Sequence, residues 1–433
     1  MNPVFQEIFG QVQNIEIIDT HEHLPYSEEV RIRESDFLKE YLSHYLKSDL
    51  ISAGLRATEF HKIDDLSIPL MDRWEIVKPY WEYTRYTGYG QALDLSVKAL
   101  YGIDSICTST VDELNRCFLA SLRPGHYEYV LKEKSKIKIS LLDNNLFYGK
   151  NANLDCDRNY FRSVFLLDDF ILLDSWEIIH YVEQQTGIRI CSFDNWLEAC
   201  ERMFHYALDK GAVALKTHLA YRRSLRFERF TKSEAESEFN EIFTIKNYPE
   251  WEKPVYRLGK KFQDYMMHFI LGQANRSHLT FQVHTGIQEG NGNQIANSNP
   301  ELLNNLFLEY PDINFDIFHI GYPYQQVVSV LAKNFPNVFI DMCWAHIVSP
   351  VASINALSEW LEAVPYNKIS AFGGDYLFVD GVFGAQLLAR INVCKVLAQK
   401  VETGLFDIDR AITVARMLFY ENPWKLFNLG ITF

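Results

Sequence analysis

Eight short β-rich runs, most of them separated by stretches of helical periodicity, constrain this chain more than any other feature. They are IEIID (15–19), KIKISLLD (136–143), RSVFLLDD (162–169), AVALKTH (212–218), LTFQVHTG (279–286), INFDIFHIG (313–321), NVFIDMCW (337–344) and KISAFGGDY (368–376). Segments such as PELLNNLFLEYP and SINALSEWLEAVP between them read as helices. FDNWLEACERMFHYALDKG reads as another, with Asp194 as its N-cap and Gly211 as its stop. Eight strands alternating with helices predict an α/β fold, the parallel (β/α)8 TIM barrel. Residues 1–433 then form a single barrel. Residues 24–135, far longer than an ordinary strand-to-helix loop, form a mostly helical insertion that caps it. Tyr80, Trp81, Tyr83, Tyr86 and Tyr89 in that insertion either wall a pocket or pack the cap, packing being the commoner fate of aromatics.

Such a barrel carries its chemistry where the C-terminal ends of the strands meet the loops, and these ends are unusual. The first run leads straight into His21 and His23, and the fourth ends in Lys216 and His218, the fifth in His284, the sixth in His319 and the eighth in Asp375. Residues i and i+2 of an extended chain point the same way, so His21 and His23 can aim two imidazoles at one point. Neutral imidazole is a common ligand for zinc and its neighbours. Any one of these histidines alone reads as a hydrogen-bonded core residue, and Asp375 alone as a helix cap. Metal-capable residues at the same end of five strands, in a chain with 13 histidines, predict a metal site. Lys216, following AVAL in a buried strand, must bring its charge to water, a partner or a modification. Beyond it, His218, Tyr221, Arg222 and Arg223 lie on a loop that overhangs the site, where an arginine fork would suit a substrate carboxylate. Trp344 and His346, at and just past the end of the seventh run, are further candidates.

A net charge of −14 argues against a nucleic-acid surface. No basic start and apolar run marks a signal peptide, and VFLLDDFILLDSW is broken by Asp168 and Asp169, so no membrane span is expected. Seven scattered cysteines without a C-x-x-C pair fit reduced thiols in a cytoplasm. The partner expected is a small molecule; a homo-oligomer is left open.

The residues at the strand ends resemble the metal-binding set of the amidohydrolase superfamily. His-x-His follows its first strand, Lys the fourth, His the fifth and sixth, and Asp the eighth. Here these are His21, His23, Lys216, His284, His319 and Asp375. The resemblance implies a divalent metal, zinc first with manganese, iron or nickel as alternatives, and one or two ions per chain. With two, a carboxylated Lys216 would bridge them; with one, Lys216 would act as an electrophile. It further implies a metal-dependent hydrolase that attacks an amide, lactone or ester carbonyl with metal-activated water, Asp375 being the general base. YGIDSICTSTVDELNRCF and the tail from LLARINVCKV onward are similar in layout to uronate isomerase. ALKTHLAYRRSL and VHTGIQEGNG look more like the branch of predicted barrel hydrolases and the related domain fused to glutamine-synthetase-like proteins. Uronate isomerases carry arginines just after the last-strand Asp; here that stretch is YLFVDGVFGAQ, with no arginine before Arg390. Hydrolysis is therefore the expected reaction, with sugar-acid isomerisation, metal-dependent decarboxylation or ligand binding without catalysis as alternatives.

Overall fold

The computed structural model describes residues 2–144, 154–244 and 258–430. Each expected run overlaps a strand: β1 (Ile17–Glu22), β2 (Ile137–Asn144), β3 (Phe161–Leu166), β4 (Ala214–Thr217), β5 (Thr280–Val283), β6 (Phe315–Ile317), β7 (Val338–Asp341) and β8 (Ile369–Ser370). They form one eight-stranded parallel sheet in chain order. The stretch after β8 lies along β1 and closes the ring: Thr20 N–H donates to Phe372 O at 3.1 Å, Asp375 N–H to His21 O at 2.9 Å and His23 N–H to Tyr376 O at 3.1 Å. This is a (β/α)8 TIM barrel. Its strands are buried on both faces, which is why they are rich in Ile, Val, Leu and Phe.

Pairing of β1 with β2 slips between Asp19 and Glu22, where three residue steps on β1 face two on β2 (Asp19↔Ser140, Glu22↔Leu142). The extra residue is a bulge, a device that re-aims side chains at barrel rims. It falls at Thr20 and His21, the first of the two histidines.

The helix Phe193–Asp209 is capped by Ser192, not by Asp194: the Ser192 hydroxyl accepts from Asn195 N–H at 3.2 Å. Asp194 falls inside the first turn, because the hydroxyl one step outside the helix reaches an amide that a residue within it cannot. The stop at Gly211 holds, with a left-handed φ of +79°. Between β1 and β2 run several helices, among them Leu70–Thr84, Gly88–Tyr101 and Val111–Ser121. Ser96 on the second of these binds the helix Val379–Glu402, donating to Asp380 O at 2.7 Å and accepting from Gly384 N–H at 3.0 Å. Trp81 is buried and Tyr89 stacks on Tyr45, whereas Tyr83 and Tyr86 are exposed. Val379–Glu402 corrects one expectation: it has the length and apolar composition of a membrane span. Of that apolar window, 83% is buried inside the fold, the pattern of a core helix.

Candidate metal centre at the mouth of the barrel

His21 and His23 bring their Nε2 atoms to 3.2 Å of each other and to 3.4 and 3.2 Å from the same oxygen, Asp375 Oδ1. The other carboxylate oxygen lies 3.9 Å from His319 Nε2, and His319 Nε2 lies 2.9 Å from His284 Nδ1. The ends of β1, β5, β6 and β8 therefore converge, and five of the six residues expected to bind metal stand together. Two nitrogens each about 2.1 Å from one zinc can be at most roughly 4.2 Å apart, and every separation above falls inside that limit.

Hydrogen bonding fixes the two tautomers at the His284–His319 contact. His319 Nδ1 donates to Cys343 O at 3.1 Å and His284 Nε2 donates to Ile287 O at 2.9 Å. The nitrogens that face each other are then both lone pairs when the rings are neutral. Burial holds them neutral, lowering His284 well below the usual range and His319 to about 3. His21 is likewise lowered to about 3, chiefly by burial and then by Lys216. His23 moves the other way: burial opposes its charging, but Asp375 and Asp143 outweigh it. Burial alone would raise Asp375; His21 and His23 instead pull it well below the usual carboxylate range.

Asp375 has a left-handed backbone, φ +60°, locked by its N–H on His21 O and by Tyr45 OH donating to its carbonyl at 2.5 Å. It caps no helix. At the preceding Gly374 a Cβ would lie 1.8 Å from Glu22 Oε1, so any larger residue must displace that buried side chain. Lys216 is fully buried, its Nζ 3.1 Å from the centroid of the Phe318 ring and without a hydrogen-bond partner among the described residues. Burial lowers its pKa.

His218, read as a substrate contact, lines the pocket and also meets a carboxylate: its Nε2 is 3.0 Å from Asp143 Oδ2, and His21, His23, Asp143 and His218 present donor atoms within 4.8 Å of one another. His319, Cys343 and Asp375 do the same. A pocket of about 510 Å³ opens above, lined in part by His23, His44, Tyr221, Arg222, Glu289 and Leu377. Arg222 is held by Asp174 at 2.7 Å, and Arg223 turns to Asp264 and Gln263. Trp344 stacks on Tyr45; His346 bonds Ala371 O at 2.9 Å and does not line the pocket.

Asp143, His44 and Cys343 were missed. Asp143 ends the second run as the other site residues end theirs, so its signal was present. His44, at φ +58° and with its buried Nδ1 unpartnered among the described residues, comes from the insertion, where no spacing points to it.

Residues 264–429 match the family profile described as Amidohydrolase. The chain is 28% identical over 177 residues to protein fluG of Emericella nidulans, a match covering 40% of this chain and only 20% of fluG. In fold it is similar to uronate isomerase from Thermotoga maritima, with a TM-score of 0.79 and 16% identity over 99% of this chain and 98% of that one. It is also similar to a Lactobacillus casei protein proposed to be a metal-dependent hydrolase, with a TM-score of 0.68 and 16% identity over 98% of both chains. The Amidohydrolase profile thus matches the C-terminal part of the barrel, from residue 264 to 429, and the whole chain shares its TIM-barrel fold with uronate isomerase.

Proposed function

We propose that the protein is a metal-dependent hydrolase of amides, lactones or esters in small molecules, with Asp375 as general base. The observation that carries this reading is the pair of imidazole lone pairs facing each other across 2.9 Å between His284 and His319, a contact that a shared cation relieves. His21, His23, His284, His319 and Asp375 would hold the ion, with Asp143 and His218 within reach; zinc is the first expectation, with manganese, iron or nickel as alternatives. A bound divalent metal supplies Lewis acidity, which polarises a carbonyl and lowers the pKa of water from ~15.7 to about 7.

The chain's own groups do the rest. Asp375, kept a carboxylate by the two imidazoles and immobilised through its backbone, takes a proton from the attacking water and passes it to the leaving group. Tyr221 and Arg222 orient the substrate from the loop after β4, together with His218. Asp174 occupies Nη2 of Arg222, leaving further donors for a substrate carboxylate. Segment 24–135 acts as a cap and contributes His44 and Tyr45 to the pocket wall. Burial drives Lys216 toward the neutral amine, which can add CO2 and lose a proton to become a carbamate, an anion that would help hold two ions. Kept as the ammonium instead, it would serve as an electrophile beside a single ion.

Sugar-acid isomerisation is the second reading, favoured by the whole-chain likeness to a uronate isomerase fold. Charge weighs against it. After Asp375 it is Leu377 that lines the pocket, while Arg390 is buried elsewhere, bound to the carbonyls of Val12, Ile15 and Ser135. The test is incubation of metal-loaded protein with a panel of esters, lactones and N-acyl amino acids beside glucuronate and galacturonate. Hydrolysis lost in Asp375→Asn supports the proposal; ketose formed from a uronate, with no hydrolysis, replaces it with the second reading.

A further inference from the structure

A second cleft, of about 640 Å³, lies at the other end of the barrel, where β2 and β3 begin. Five cations line it: Lys132, Lys136, Lys138, Arg158 and Arg162. The carboxylates lining it are Glu16 and Glu128. A local excess of positive charge in a chain of net charge −14 is a focused field rather than an average surface.

These cations are poorly neutralised. Among the described residues, Lys138 with Glu16 at 3.4 Å is the ion pair they make. Main-chain carbonyls hold three of the others: Arg162 donates to Arg158 O at 2.7 Å and Phe161 O at 2.8 Å, Arg158 to Lys210 O at 2.8 Å, and Lys132 to Lys138 O. Carbonyl anchoring aims the cationic heads without cancelling their charge. Burial lowers the pKa of both Lys132 and Arg162; Glu128 and Glu16 oppose the shift on Lys132 while Lys138 and Arg162 add to it, and on Arg162 Cys156 opposes it while Arg158 adds to it. Lys136 sits at φ +58°, a left-handed backbone that a lysine adopts at a cost. Trp424, stacked on Tyr420 with centroids 5.5 Å apart, gives the cleft an aromatic wall.

We propose that this cleft binds a small molecule carrying a di- or triphosphate group, with Lys136, Arg158 and Arg162 on the phosphates. Arginine forks match phosphate oxygens in geometry and lysine adds point charge. The volume falls within the range of small-molecule sites, roughly 300–1,000 Å³. Nucleotides and inorganic polyphosphate share this chemistry, and Trp424 separates them, since only a nucleotide offers a base to stack.

Isothermal titration of the full chain with pyrophosphate and with ATP tests the site. Saturable binding near one equivalent is expected, weakened at least about tenfold in Lys136→Gly/Arg158→Ala and retained in His23→Ala, which alters the opposite end of the barrel. Both substituted side chains are exposed, and glycine relaxes the left-handed position, so the melting temperature should hold. If Trp424→Ala weakens ATP more than pyrophosphate, the ligand is a nucleotide; equal affinities assign the site to the phosphate group alone. The proposal is overturned by absence of saturable binding, by equal binding in the double variant, or by loss of binding in His23→Ala.

Discussion

Gly374→Ala is the substitution whose consequence the geometry states most sharply. The new Cβ would lie 1.8 Å from Glu22 Oε1 and 2.9 Å from its Cδ, far inside contact distance. Glu22 is fully buried, and its Oε2 accepts from Tyr376 N–H at 2.8 Å. Burial, with Asp19 next, raises Glu22 well above the usual carboxylate range, so its side chain is a neutral acid against Asp19. The methyl group must displace it, and overpacking of this kind costs about 1–3 kcal/mol. A buried polar group stranded by the move costs about 1–3 kcal/mol more, giving roughly 4 kcal/mol in all. Because Asp375 is the next residue, metal retention should fall with stability. Urea unfolding followed by tryptophan fluorescence measures the first and elemental analysis the second. Combining Gly374→Ala with Glu22→Ala should be less destabilising than the two single effects added, since the clash is shared. A Gly374→Ala protein within about 1 kcal/mol of the parent, and with its metal intact, would refute the close approach between β1 and the turn after β8.

Three further outcomes follow from the site and its surroundings. Asp375→Asn should leave the fold in place and reduce kcat by about 10²- to 10⁴-fold, the range for losing a general base, read in the same assay that finds the substrate. Lys216→Ala should lower the metal content if the lysine bridges two ions; unchanged metal with lost activity would instead make it an electrophile, by metal analysis and kinetics together. His346, lowered to about 4 by burial, stays neutral in the fold while its unfolded counterpart takes up a proton near 6.5. Its contribution is thus fully present above pH 6.5 and lost as pH falls toward 4, where the unfolded state binds the extra proton. The stability difference between the parent and His346→Gln, followed by urea unfolding, should shift by about 3 kcal/mol against the parent over that window.

The barrel was legible because each strand is a short apolar run that stops at a polar residue, and eight such stops recur. The histidines were legible for the same reason: at a strand end, a buried-type run cannot continue through imidazole without a partner. Asp143 carried the same mark, but a carboxylate after Leu-Leu is common enough to pass unread. His44 and Tyr45 were not legible, because they reach the pocket from the insertion by packing, and packing across distant segments leaves no period in the chain. The bulge between Asp19 and Glu22 was hidden too. Alternation alone explains why His21 and His23 share a target, yet the extra residue between Asp19 and Glu22 is a matter of register with β2, set by two strands together. The core helix Val379–Glu402 escaped notice because its buried polar residues, Asp380 and Arg390 among them, interrupt what composition makes apolar.

The central claim, that the histidines and Asp375 at the mouth of the barrel hold a metal, is tested most directly by elemental analysis of protein purified without chelators. One or two equivalents of a divalent transition metal per chain, lost in His284→Ala and His319→Ala, is the predicted result. Protein that holds no stoichiometric metal, even after zinc or manganese is supplied with bicarbonate, would contradict it.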